Sequence, residues 1–161
     1  MGDPKKPRKL YRKPKRPWNP EQLMSELELL GNYGLRNKRE LWKAETELSR
    51  IRKMARTLLA LPEEVRVDKE KELLRSLDRL GLVSEDATLD DVLSLKVEDI
   101  LERRLQTIVM RKYNVTPNHA RQLVVHKHVM LGDRIVNIPG YLVKREEEAK
   151  INVREKAPVP Q

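Results

Sequence analysis

The chain contains no cysteine and no phenylalanine, and aromatic residues of all kinds make up only 4% of it. Without cysteine there can be no disulfide, thiolate zinc site or cysteine nucleophile, and the composition suits a reducing compartment. So few rings leave little material for the stacking platform of a single-strand binder, which favours folded over splayed nucleic acid. Long apolar runs are missing too. The longest is LLAL at 58–61, far short of the roughly 20 residues that a membrane span requires. No apolar signal segment follows the basic start, so the expectation is a soluble, cytoplasmic protein. No Gly-rich phosphate loop, nucleophile-elbow serine or solenoid-period repeat is found.

What the chain does have is charge. Of its 161 residues 37% are ionic, and the formal net charge is +9. The 39% that are apolar can fill modest cores but cannot wall a large enzyme cavity, which favours two small units. The excess is also unevenly placed. Residues 1–17 hold eight bases against one acid, whereas 18–102 hold fourteen bases against nineteen acids. Residues 103–145 return to nine bases against one acid, and 146–161 are nearly balanced. Two cationic blocks flanking an acidic middle point to a polyanion partner, with nucleic acid first among them. Few amides and many Glu, Lys and Arg also resemble a thermophile's composition.

Residues 1–18 place Lys5, Lys6, Arg8, Lys9, Arg12, Lys13, Lys15 and Arg16 among five prolines by residue 20, so no helix can run through them. An extended arm ordering along phosphates is expected. Asn19 and Pro20 then form a cap and first-turn pair, with Leu23, Leu27 and Leu30 sharing a face before Gly31 ends a short helix. From about 37 to 61, Leu41, Ala44, Leu48, Ile51, Ala55 and Leu58 recur at alternating spacings of three and four, predicting a helix that Pro62 closes. Opposite that stripe Arg39, Lys43, Arg50 and Lys53 fall in one narrow arc, with Arg36 and Lys38 at the helix's start and Glu40, Glu45 and Glu47 directed away from the arc's centre.

Asp68 is read as a possible cap for a helix to residue 80, with Leu73, Leu74, Leu77 and Leu80 inward and Gly81 at the stop. TLDD at 88–91 matches a capping box. Val97, Ile100, Leu101, Leu105 and Ile108 predict one continuous helix over about 96–112, with Arg103, Arg104, Arg111 and Lys112 on its other surfaces. Thr116 and Pro117 start another of about ten residues. HVMLGDRIVNI then reads as a hairpin turning at Gly132 and Asp133, and PGYLV as a third extended piece.

His119, His126 and His128 lack the cysteines and carboxylates of a metal site, so no metal or other cofactor is expected. They suit contact with an RNA backbone or base. Asp78, in SLDRLGLVSEDATL, lies on the polar side of a leucine-patterned helix, and the chain has no room for the large catalytic sheet of an aspartate-dependent RNA-modifying enzyme. No enzyme is expected.

The stretch LERRLQTIVMRKYNVTPNHARQLVVHKHVMLGDRIVNIPGYLV closely resembles the S-four RNA-binding domain, through RRLQ, ARQLV, HKHVMLGDR and VNIPGY in that order. LLGNYGLRNKRELWKAETELSRIRKMARTLL at 29–59 resembles the helical region of the small-subunit ribosomal protein S-four family, in its archaeal and eukaryotic branch. The resemblance implies an α+β fold: a helical region over 19–102, an S-four-type domain of two helices and a short antiparallel sheet over 103–153, and a tail over 154–161. It implies a primary binder of small-subunit ribosomal RNA, monomeric within the ribosome, that nucleates 5′-domain assembly, touches neighbouring small-subunit ribosomal proteins and influences decoding accuracy. It places RNA-facing residues at Arg103, Arg104, Arg121, Gln122, Lys127, His128 and Arg134, to which the charge pattern adds His126, Arg111 and Lys112. Bacterial members often carry a zinc-binding cysteine cluster that this chain lacks. An assembly factor using the same domain, an RNA-modification protein and a pure protein scaffold remain as alternatives.

Overall fold

A computed structural model describes residues 9–84 and 86–154. Helix α1 (Pro20–Asn32) leads into the longest element, α2 (Lys38–Leu59), which is followed by α3 (Glu63–Leu80), α4 (Leu89–Ser94) and α5 (Val97–Glu102). Helices α6 (Leu105–Tyr113) and α7 (Pro117–Val125), strands β1 (Val129–Leu131) and β2 (Arg134–Ile135), α8 (Arg145–Glu148) and β3 (Ile151–Val153) complete the described residues. The fold is α+β: mostly helical, with a small antiparallel sheet in the order β2-β1-β3.

The stripe on α2 is the axis of the first core, and all six of its predicted residues are buried. Asn37 accepts a hydrogen bond from the Glu40 N–H and so caps the start of α2. The core joins them to Leu73 and Leu77 of α3, Leu89 and Val92 of α4, and Ile100 and Leu101 of α5. A second, smaller core gathers Leu105, Ile108 and Val109 of α6, Ala120 and Val124 of α7, Val129, Val143 and Ile151.

Several expectations are corrected. Helix α1 continues through Gly31 to Asn32, and its fully buried residue is Glu26, while Leu27 is 56% exposed. The left-handed residue that turns the chain toward α2 is Gly34, with φ +57°. Helix α3 starts at Glu63, not Asp68, because Pro62 can precede a first turn and Glu63 and Glu64 favour its positive end. The helix expected over 96–112 is broken at Arg103 and Arg104. Segment 141–143 takes the backbone groups there: Leu105 N–H donates to Tyr141 O at 2.8 Å, and Val143 N–H donates to Arg103 O at 2.9 Å. Apolar spacing runs unbroken through this point, since Leu101 and Leu105 are four apart, so periodicity could not reveal the interruption.

The hairpin forms with Leu131 opposite Arg134, and Gly132 at its tip has φ +59°. The third strand is Ile151–Val153, paired with β1. PGYLV adds no strand to the sheet and forms instead an isolated bridge between Leu142 and Arg104.

Candidate nucleic-acid interface

The expected cations divide into those the fold turns inward and those it leaves in solvent. Glu40 lies in the first turn of α2, beside the apolar stripe. Its Oε1 accepts from Arg121 Nη2 of α7 at 2.6 Å, and its Oε2 accepts from Arg104 Nη2 at 2.7 Å. Arg121 Nη1 also donates to Gln106 Oε1 at 3.2 Å. The buried amide of Gln106 donates in turn to Gly34 O and Pro117 O, each at 3.0 Å, and to Tyr33 O at 3.3 Å. Burial pushes the Glu40 carboxyl upward, but hydrogen bonds from Arg121 and Arg104 outweigh it and hold its pKa below the ordinary value. One carboxylate and one amide thus join the two cores.

The outward placement expected for Arg103, Arg104 and Arg121 is therefore corrected. The Arg104 side chain is only 6% exposed. Arg103 donates to Glu148 at 2.8 Å and to Val143 O at 3.0 Å, with its guanidinium lying against Gly81. Lys38 is likewise drawn to the buried Glu26 at 2.7 Å. Arg111 pairs with Glu102 at 2.6 Å, and Lys112 donates to Ile151 O at 2.7 Å, although both residues are largely exposed. Glu40 and Gln106 were not expected as the joint. The single available signal was that Glu40 sits about 40° from Ala44 on a helical projection, at the edge of the stripe.

The other described cations are accessible. Arg36, Arg39, Lys43, Arg50 and Lys53 are exposed on or just before α2, and Arg50 is touched only loosely by Glu47, at 3.9 Å. Lys43 and Arg50 line a groove of about 640 Å³ between the two cores, facing Pro139 and Gly140. The arm lies along the same helix. Tyr11 stacks on Trp42 with centroids 5.8 Å apart, and the Arg12 N–H donates to Thr46 Oγ1 at 3.0 Å. This docking leaves Lys9, Arg12, Lys13, Lys15 and Arg16 exposed. Lys5, Lys6 and Arg8 lie outside the described residues.

A second accessible set surrounds the C-terminal end of α7. His126 ends that helix, and Lys127 adopts φ +63°, which turns the chain sharply into β1. His119, Gln122, His126, His128 and Arg154 line one groove of about 440 Å³. Lys127 and Arg134 are exposed nearby in the chain. Arg154 is not among the expected contacts; it reaches this groove because β3, which no local pattern predicts, brings the chain back beside β1. Among the described residues, no group of three His, Cys, Asp or Glu side chains could hold a metal, and no helix is long and apolar enough to cross a membrane.

Two cores, the second carrying the hairpin and α6–α7 pair, define a helical protein bearing an S-four-type domain, and residues 103–148 match the family model described as the S4 domain. Residues 5–102 match that of the ribosomal protein S4/S9 N-terminal domain, so the chain belongs to the ribosomal protein S4/S9 family. It is 59% identical, over all of its length and 81% of the relative's, to a protein of Nitrosopumilus maritimus named small ribosomal subunit protein uS4. Relatives of the same name from Cenarchaeum symbiosum and Hyperthermus butylicus are 62% and 56% identical, across 95% and 98% of this chain and 75% and 90% of theirs.

Proposed function

We propose that this chain is a structural protein of the small ribosomal subunit that binds small-subunit ribosomal RNA through cationic faces on both cores. One observation carries the reading. The exposed arc of α2 opens into the groove between the cores, while the bases that could have competed for RNA there, Arg104 and Arg121, are held by Glu40. The joint fixes how the two faces are presented, so the protein recognises an RNA whose helices already diverge at a matching angle. Docked along α2, the arm adds charge to the same side.

Phosphate contacts supply most of the affinity, and RNA shape supplies the selectivity. The chain acts in the cytoplasm, within the ribosome and without a cofactor. Its role is architectural and not enzymatic: it nucleates 5′-domain assembly, and through neighbouring small-subunit proteins it contributes to decoding accuracy. The family resemblance supports this finer reading.

Replacing Arg39, Lys43, Arg50, Lys127 and Arg134 together by Ala tests the interface. Filter binding to small-subunit RNA across a salt series should show weaker binding, with a log–log slope shallower by about 0.7–0.9 for each phosphate that is no longer neutralised. Thermal unfolding should barely move, because all five side chains are exposed. An unchanged slope would remove these residues from the interface.

A further inference from the structure

Helix α1 carries a face that fits neither the core nor RNA. Pro20, Met24, Leu27 and Gly31 fall at spacings of four, three and four, which puts them within about 60° of one another on the helix. All four are exposed, Met24 at 71% and Leu27 at 56%. Trp18, just before the helix, is 85% exposed. The opposite face supplies the contacts with the first core: Leu29 and Leu30 pack there, and Glu26 binds Lys38 and Trp42. The outward stripe is therefore not needed to hold α1 in place.

Charge decides what can cover it. Between Trp18 and Asn32 there are three glutamates and no Lys, Arg or His, in a chain whose net charge is +9. Glu26 is neutralised by Lys38, but Glu21 and Glu28 are exposed along one edge of the stripe. Phosphates would be repelled there. A cationic polypeptide would instead place its Lys or Arg on Glu21 and Glu28 and its aliphatic side chains over Met24 and Leu27. Methionine adapts its shape to such a contact. Nothing lies within 4 Å of where a Cβ on Gly31 would stand, so a second backbone can come close at that end.

We infer that the outer face of α1 is a docking surface for a basic, partly apolar segment of a neighbouring protein, such that RNA holds one side of this molecule and protein the other. The inference rests on the proposed role in the small subunit, and the experiment separates the two. Met24 is replaced by the photoreactive residue p-benzoylphenylalanine, the full chain is assembled into small subunits, and the particles are sedimented, irradiated and analysed by mass spectrometry. Failure of the chain to sediment with the subunit would count against the proposed role itself. In loaded particles, a crosslink to a Lys- or Arg-rich peptide of another protein is the expected result. A crosslink to RNA, to an acidic or uncharged peptide or to residues 1–8 of the same chain would overturn the inference, as would no crosslink at all. Glu21→Lys with Glu28→Lys should lower the protein crosslink at least about fivefold, since like charges then face each other, without weakening RNA binding. An undiminished crosslink in that variant would equally overturn it.

Discussion

Glu40 binds two guanidinium groups that lie 64 and 81 residues further along the chain. Replacing it by Gln removes the charge and leaves Arg104 buried without a counter-ion, which should cost about 1–3 kcal/mol in urea unfolding at neutral pH. The pH dependence follows from the depressed carboxyl. Its contribution is complete above the ordinary glutamate range and disappears as pH falls through the lower folded value. Wild type should therefore lose stability on acidification more steeply than Glu40→Gln, and identical acid profiles would show that the joint contributes nothing. This residue was the least legible in the sequence. A charged side chain announces its type and spacing but not a partner several elements away, so Arg104 and Arg121 read as solvent-facing bases, while Gln106 counts only as part of RRLQ and not as a bridge between the cores. The exposure of bases such as Lys43 and Arg134 was readable, because among the described residues no ion pair claims them.

At the scale of elements, periodicity located α2 and its whole buried stripe, and turn chemistry located the hairpin, since both depend only on local sequence. It failed where another segment competes for backbone hydrogen bonds, as 141–143 does at Arg103 and Arg104. Nor could it foresee β3, whose three residues join the sheet only because β1 offers them an edge. Over residues 9–18 the arm forms no helix, as its prolines require, but its seat on α2 depends on a long-range ring contact. Tyr11→Ala removes the stacking on Trp42 and frees the segment. RNA affinity should then fall roughly two- to tenfold, matching about 0.5–1.5 kcal/mol for ordering a side chain on binding, with little change in melting temperature. Undiminished affinity would mean that the docked position of the arm does not matter to the complex.

The whole molecule depends on how closely its two cores meet. Gly34 stands at that seam in a left-handed conformation, and a Cβ there would lie 2.4 Å from Cβ of Pro117, at the start of α7. Gly34→Ala should therefore destabilise the protein by at least about 1–2 kcal/mol from backbone strain alone. It should also push α7 away from the turn between α1 and α2, visible as faster amide exchange in both segments. Unaltered exchange would show that the seam has slack. The order of the cores along the chain has a consequence for biosynthesis. Nearly all of the first core is available once residue 101 has emerged, but Leu142, which packs against it, and both arginines that neutralise Glu40 come later. A nascent chain can thus assemble its N-terminal helices while Glu40 stays hydrated, and it locks them to the second core only after residues 104–142 have followed.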